Sequence, residues 1–152
     1  GSSSAKETIF CKCWLGNSNL VDADIRGADF SGAWITAADL SNSLLAGSTL
    51  AGVSLARACM KETDMTGTFA VGTDFRGAIL NGATMRAANF SGANFRGASL
   101  IDADLSLADL VGADLRGAQL DGAKLNGSRH DGTTRWPETF KPLTSGGIES
   151  HE

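Results

Sequence analysis

The sequence predicts a solenoid, and three observations lead there. A large apolar residue falls on every fifth position from 10 to 125, broken only at Ala70. A small residue stands two places before it, as at Ala23, Ala28, Ala33 and Ala38, with Cys13, Val53, Thr63, Thr68 and Thr73 as variants. Gly recurs two places after it, and no insertion shifts the register over that length. Repetition at a fixed short period marks a chain built from stacked units rather than one folded round a single core.

The period excludes ordinary elements. On a helix of 3.6 residues per turn, positions five apart lie about 140° apart, so the apolar column would smear round the cylinder. In a flat strand side chains alternate faces, so half of the column would meet water. A backbone that turns a corner in every unit keeps both columns inward. Gly at the place after the corner suits this, because it accepts backbone angles that other residues resist. Arg57, Glu62 and Leu107 stand at equivalent places, so a side chain is tolerated there.

Along the chain, residues 1–7 read as a tail. Gly1-Ser2-Ser3-Ser4 reads as residues left by cloning, so a targeting segment removed upstream would leave no trace. Thr8-Ile9-Phe10-Cys11-Lys12 already fits the repeat. The first coil is therefore open, covered by the residues before it, or paired end to end with a second copy through its exposed strand edges. The column then runs unbroken to Met65. Ala70 removes one large side chain, which predicts a soft spot or small void. Phe69 and Val71 beside it leave two outcomes: a local shift that brings Phe69 inward, or an exposed apolar patch. Over 78–127 the phrase is cleanest, and after Gly132 it stops. Trp136 and Phe140 are suited to covering the last apolar layer, and Pro137 and Pro142 cannot donate to a continuing ladder, so 133–142 reads as a cap. Residues 143–152 are expected to be disordered.

Units such as Ala88-Asn89-Phe90-Ser91-Gly92 and Ala123-Lys124-Leu125-Asn126-Gly127 resemble the pentapeptide-repeat family over residues 8–132. The resemblance implies an all-β fold, a right-handed quadrilateral β-helix with four units per coil and about six coils. Trp136-Pro137-Glu138 followed by Phe140 and Pro142 resembles the tails of many cyanobacterial members.

Composition narrows the function by exclusion. The net charge is −4, and residues 8–132 hold ten Lys or Arg against thirteen Asp or Glu. Such a mildly acidic surface gives no footprint for direct nucleic-acid binding. No apolar run approaches the roughly 18 residues of a membrane span. A soluble, cytoplasmic protein is expected, or one of the thylakoid lumen or periplasm if a targeting segment has been removed. Three cysteines make no disulfide framework. Cys13 falls in the inward small column while Cys11 and Cys59 face outward; the alternative, Cys11 and Cys13 as a metal or redox pair, lacks a neighbouring third ligand. His130 and His151 stand at the last unit and the tail, so no Ser-His-Asp or Cys-His arrangement forms. The run 117–124 misses the phosphate-loop order. No enzyme, cofactor or metal is expected.

With four units per coil, residues twenty apart stack about 4.8 Å apart, which turns the sequence into a surface map. Arg76, Arg96 and Arg116 then form a ladder beside Asp74, Asn94 and Asp114. The ladder is either a solvated, charge-balanced face or a contact for an acidic or phosphate-bearing partner. Trp14 and Trp34 stack on the same face, either under the N-terminal residues or as a partner or dimer contact. The outward Asp residues are expected to bond their own turns. A rigid, non-catalytic interaction rod with an unnamed protein partner is the leading expectation. The family resemblance adds a second, a DNA mimic that binds gyrase, and a structural segment of a larger protein is a third.

Overall fold

The computed structural model describes residues 8–142 and the backbone of 148–149. The chain winds as a right-handed quadrilateral β-helix. Each side of a coil contributes one bridging residue, which pairs in parallel with the residue twenty places on. Four ladders result, and the second of them runs Trp14, Trp34, Ser54, Asp74, Asn94, Asp114 and Arg135.

The unit explains its own composition. Phe30 N donates to Thr49 O in the next coil, and Asp29 N donates to Thr8 O in the previous one. Ala33 N closes the corner by donating to Phe30 O. The third residue of every such corner from 12 to 127 has φ between 54° and 71°, and at ten corners it is not Gly. Leu107, at φ 62°, is one of these ten. One N–H per unit lies outside the ladder, and where an Asp or Asn stands two residues earlier its side chain accepts it, as Asp39 Oδ1 does from Ser41 N at 3.0 Å. The outward Asp residues are thus tied to their own turns.

Inside, the large column and the small column form one continuous core. Phe75 and Phe95 stack with centroids 4.8 Å apart, and Phe90 meets both edge-on. Ala70 is fully buried beside this cluster while Phe69 keeps its outward place, 48% exposed, with its bridges to Thr49 and Asn89 intact. Of the two outcomes open at Ala70, the register holds and the aromatic ring faces water.

The period changes only after residue 130. His130 occupies the central column, buried, with Trp136 against its ring at 5.2 Å in an edge-on contact. Asp114 then pairs with Arg135, twenty-one residues on rather than twenty. The slip brings Thr134 into the small column, where its Oγ1 donates to Leu110 O at 3.0 Å. It also carries Trp136 and Phe140 over the core, their rings 5.2 Å apart. β1 (Arg129–His130) pairs in parallel with β2 (Ile148–Glu149). The remainder of 143–152, and the tail 1–7, lie outside the described residues.

Candidate partner-binding face

All five candidate contact residues lie along one side of the rod. Trp14 and Trp34 are rungs of the second ladder, and Arg76, Arg96 and Arg116 each stand two residues past a rung of it. The pairing of Trp14 with Trp34 holds their rings 5.7 Å apart at 31°. Both rings remain exposed, at 71% and 57%. They line a shallow groove of about 190 Å³ with Lys12 and Cys13.

The arginine ladder is less uniform than its spacing suggests. Arg76 Nη2 lies 2.7 Å from Asp74 Oδ2, and Arg116 Nη2 lies 2.6 Å from Asp114 Oδ2. Each pair is bidentate, because Nε also donates to the same carboxylate. Hydrogen bonding from these guanidiniums holds both carboxyls below the usual carboxylate range and raises the arginines in turn. Arg96 is different: its turn carries Asn94, which accepts only its backbone N–H at 3.1 Å. Among the described residues Arg96 makes no ion pair, so one cation of the three meets solvent without a carboxylate of its own. The distinction is legible in the sequence, since it arises from Asn rather than Asp two residues earlier.

Elsewhere the described residues hold little chemistry. The three cysteines are free thiols. Cys11 is exposed, yet partial loss of hydration and the nearby Asp29 carboxylate push its thiol up, which disfavours the reactive thiolate. Among the described residues no three His, Cys, Asp or Glu side chains gather as metal ligands. No described helix is long and apolar enough to cross a membrane. A second shallow hollow, about 260 Å³, separates Leu120 and Asp121 from Pro137 and Phe140 where the last coil meets the cap.

Comparison with known proteins bears on the fold and the family. A family model described as pentapeptide repeats in eight copies matches residues 10–42, 35–69, 58–97, 71–106 and 88–127. No curated protein sequence matches the chain. Among solved structures, a trypsin-treated variant of QnrB1, a plasmid-mediated fluoroquinolone resistance protein, has a TM-score of 0.61 and 23% identity. That match covers 86% of this chain and 75% of the other. A pentapeptide repeat protein from the Arabidopsis thaliana thylakoid lumen has a TM-score of 0.61 and 28% identity, over 62% of this chain and 66% of its own. A second trypsin-treated QnrB1 variant has a TM-score of 0.60 and 19% identity, over 95% of this chain and 91% of its own. At these identities the likeness to QnrB1 is one of fold.

Proposed function

The chain belongs to the pentapeptide-repeat family, and from that premise we propose that it is a non-catalytic interaction rod whose second face binds a protein partner. The observation that carries this is the adjacent, exposed Trp14–Trp34 pair on the side that also presents Arg96. Two adjacent indoles left in water contribute little to a monomer, whereas a large apolar side chain that becomes buried contributes about 1.5–3 kcal/mol. Trp and Arg are also the residue types on which binding energy concentrates in protein interfaces. The rod supplies rigidity, so such a surface loses little conformational entropy on binding.

A DNA mimic directed at gyrase is less well supported by this surface. Asp24, Asp74 and Asp114 are each held by an Arg two residues on, so carboxylates that would imitate phosphates are neutralised in place. Inhibition of gyrase supercoiling by the purified chain would raise that function above the interaction rod.

The test is affinity capture from the source lysate with the wild-type chain, Trp14→Ala/Trp34→Ala, and Arg76→Glu/Arg96→Glu/Arg116→Glu. Both variants should retain the wild-type circular dichroism spectrum, since every altered side chain is outward. A protein captured by the wild type and lost from either variant is the expected result. An identical set of captured proteins from all three would remove the second face as the contact surface.

A further inference from the structure

We propose that Asn126 is a site of spontaneous deamidation selected by the fold, and that Asn81, in nearly the same local sequence, is protected by the coil. The two stand in Leu80-Asn81-Gly82-Ala83 and Leu125-Asn126-Gly127-Ser128. Local sequence therefore gives them similar intrinsic reactivity, and any difference must come from structure.

The reaction needs only the chain and water. The main-chain nitrogen of the glycine attacks the asparagine Cγ, forming a new N–Cγ bond while the bond to the side-chain nitrogen breaks and ammonia leaves. Water then opens the succinimide at either carbonyl, giving aspartate or isoaspartate. A glycine after the asparagine favours the attack because no Cβ shields its nitrogen.

What that nitrogen does in the coil decides its availability. Gly82 N donates to Ile101 O in the next coil at 2.9 Å. Asn81 Oδ1 accepts a hydrogen bond from Ser99 Oγ. The nucleophile is thus tied into the ladder and the electrophile is pinned to a neighbouring coil. On the side of the coil that holds Asn126, the corresponding series runs from Gly67 N to Arg86 O and from Ala87 N to Ser106 O, and ends where Leu107 N donates to Asn126 O at 2.9 Å. Among the described residues Gly127 N finds no acceptor, and the exposed Asn126 side chain has no hydrogen-bond partner. Ring closure at 126–127 requires only the bond from Leu107 N to Asn126 O to yield, whereas at 81–82 the bonds from Glu62 N to Asn81 O, from Gly82 N to Ile101 O and from Ser99 Oγ to Asn81 Oδ1 must all open first.

The product is more than a chemical mark. One amide becomes a carboxylate, so the net charge of −4 becomes −5. Isoaspartate also adds one carbon to the main chain at the carbonyl that receives Leu107 N, weakening the last bond of that series next to the C-terminal cap.

The experiment is incubation of the full-length folded chain at physiological pH and temperature, with peptide mapping by mass spectrometry and labelling by protein isoaspartyl methyltransferase. A parallel sample is held in guanidinium chloride. In denaturant both asparagines should convert at similar rates; in the folded chain Asn126 should convert at least about tenfold faster than Asn81, the ratio that an additional opening cost of about 1.4 kcal/mol at 81–82 would give. Asn126→Gln should abolish the acidic species that wild-type chain accumulates on ion exchange. Equal rates in the folded chain, faster conversion at Asn81, or no conversion at Asn126 while the denatured sample reacts would each overturn the proposal.

Discussion

Hydroxyls in the small column fall into two kinds. Thr63, Thr68 and Thr73 donate through Oγ1 to the carbonyls of Leu40, Leu45 and Leu50 at 3.0, 3.3 and 2.6 Å. Ser43, Ser48 and Ser128 are buried at matching positions, and their hydroxyls have no partner among the described residues. A buried hydroxyl without a partner costs about 1–3 kcal/mol, and Ala fills most of the other small-column slots. Ser48→Ala should therefore raise unfolding free energy by about 1 kcal/mol in guanidinium denaturation; a loss of stability would show that the hydroxyl is bonded. Nothing in the repeat phrase separates these Ser from the Thr. The difference arises because branching at Cβ restricts Thr to few rotamers. Corner residues carry a second prediction. Leu107 sits at φ 62° with 59% of its surface exposed, so it bears left-handed strain without much burial in return. Leu107→Gly should stabilise by up to about 1 kcal/mol, because relief of strain exceeds the entropy added to the unfolded chain. A lowered melting temperature would mean that the contact of Leu107 over Gly127 matters more than the strain. The Gly column announced these corners, and Arg57, Glu62 and Leu107 showed that other residues survive there; the sign of φ explains why Gly prevails.

At the scale of one unit, the outward Asp or Asn completes the backbone hydrogen bonding that the ladder leaves undone. Hydrogen bonds from the residue two places on hold the carboxyls of Asp29, Asp39, Asp74 and Asp114 below their ordinary values. Asp104 moves the same way: burial raises it, but bonds from Ser106 and Arg86 outweigh that effect. A carboxyl depressed in the folded state adds stability above its unfolded pKa of about 3.9 and loses it as pH falls through the folded value. Thermal stability should therefore be level above about pH 5 and decline below about pH 4. Asp39→Asn should shrink that decline while leaving the neutral-pH melting temperature nearly unchanged. Asn89 already shows the neutral form at work, accepting from Ser91 N at 3.0 Å and Ser91 Oγ at 2.7 Å, as Asp39 does from Ser41. An unaltered acid limb in the variant would show that the decline originates elsewhere. The local bonding of these residues was legible from their position in the phrase. That Arg76 and Arg116 have an Asp two residues earlier while Arg96 has Asn was legible too; the bidentate closing of each pair was not, because spacing predicts which residues are neighbours but leaves their rotamers open.

Over the whole rod, the period that made the middle legible also hid the end. The slip of one residue between His130 and Arg135 departs from the repeat, and the bridge from Asp114 to Arg135 reveals it. His130 takes a place that an apolar residue holds in nearly every earlier unit, so the phrase does not mark it as core, and the rings of Trp136 and Phe140 close the column beside it. In a solenoid each coil touches only its neighbours, so damage at one end need not reach the other. Trp136→Ala removes a half-buried ring from the last layer, a loss of about 2 kcal/mol. Hydrogen exchange should then speed at the amides of Lys124 and Arg129, which donate to Ala103 and Ala108, while those of Ile79 and Asn89 keep wild-type protection. Equal loss of protection along the rod would mean that the coils unfold as one cooperative unit and that the ring stabilises all of them. No loss anywhere would mean that Trp136 rests on the core without closing it. A graded loss confined to the last coil would identify the residues after 130 as a cap in the energetic sense, with the slip as the device that brings a large ring over a column built mainly from Leu, Ile, Phe and Met.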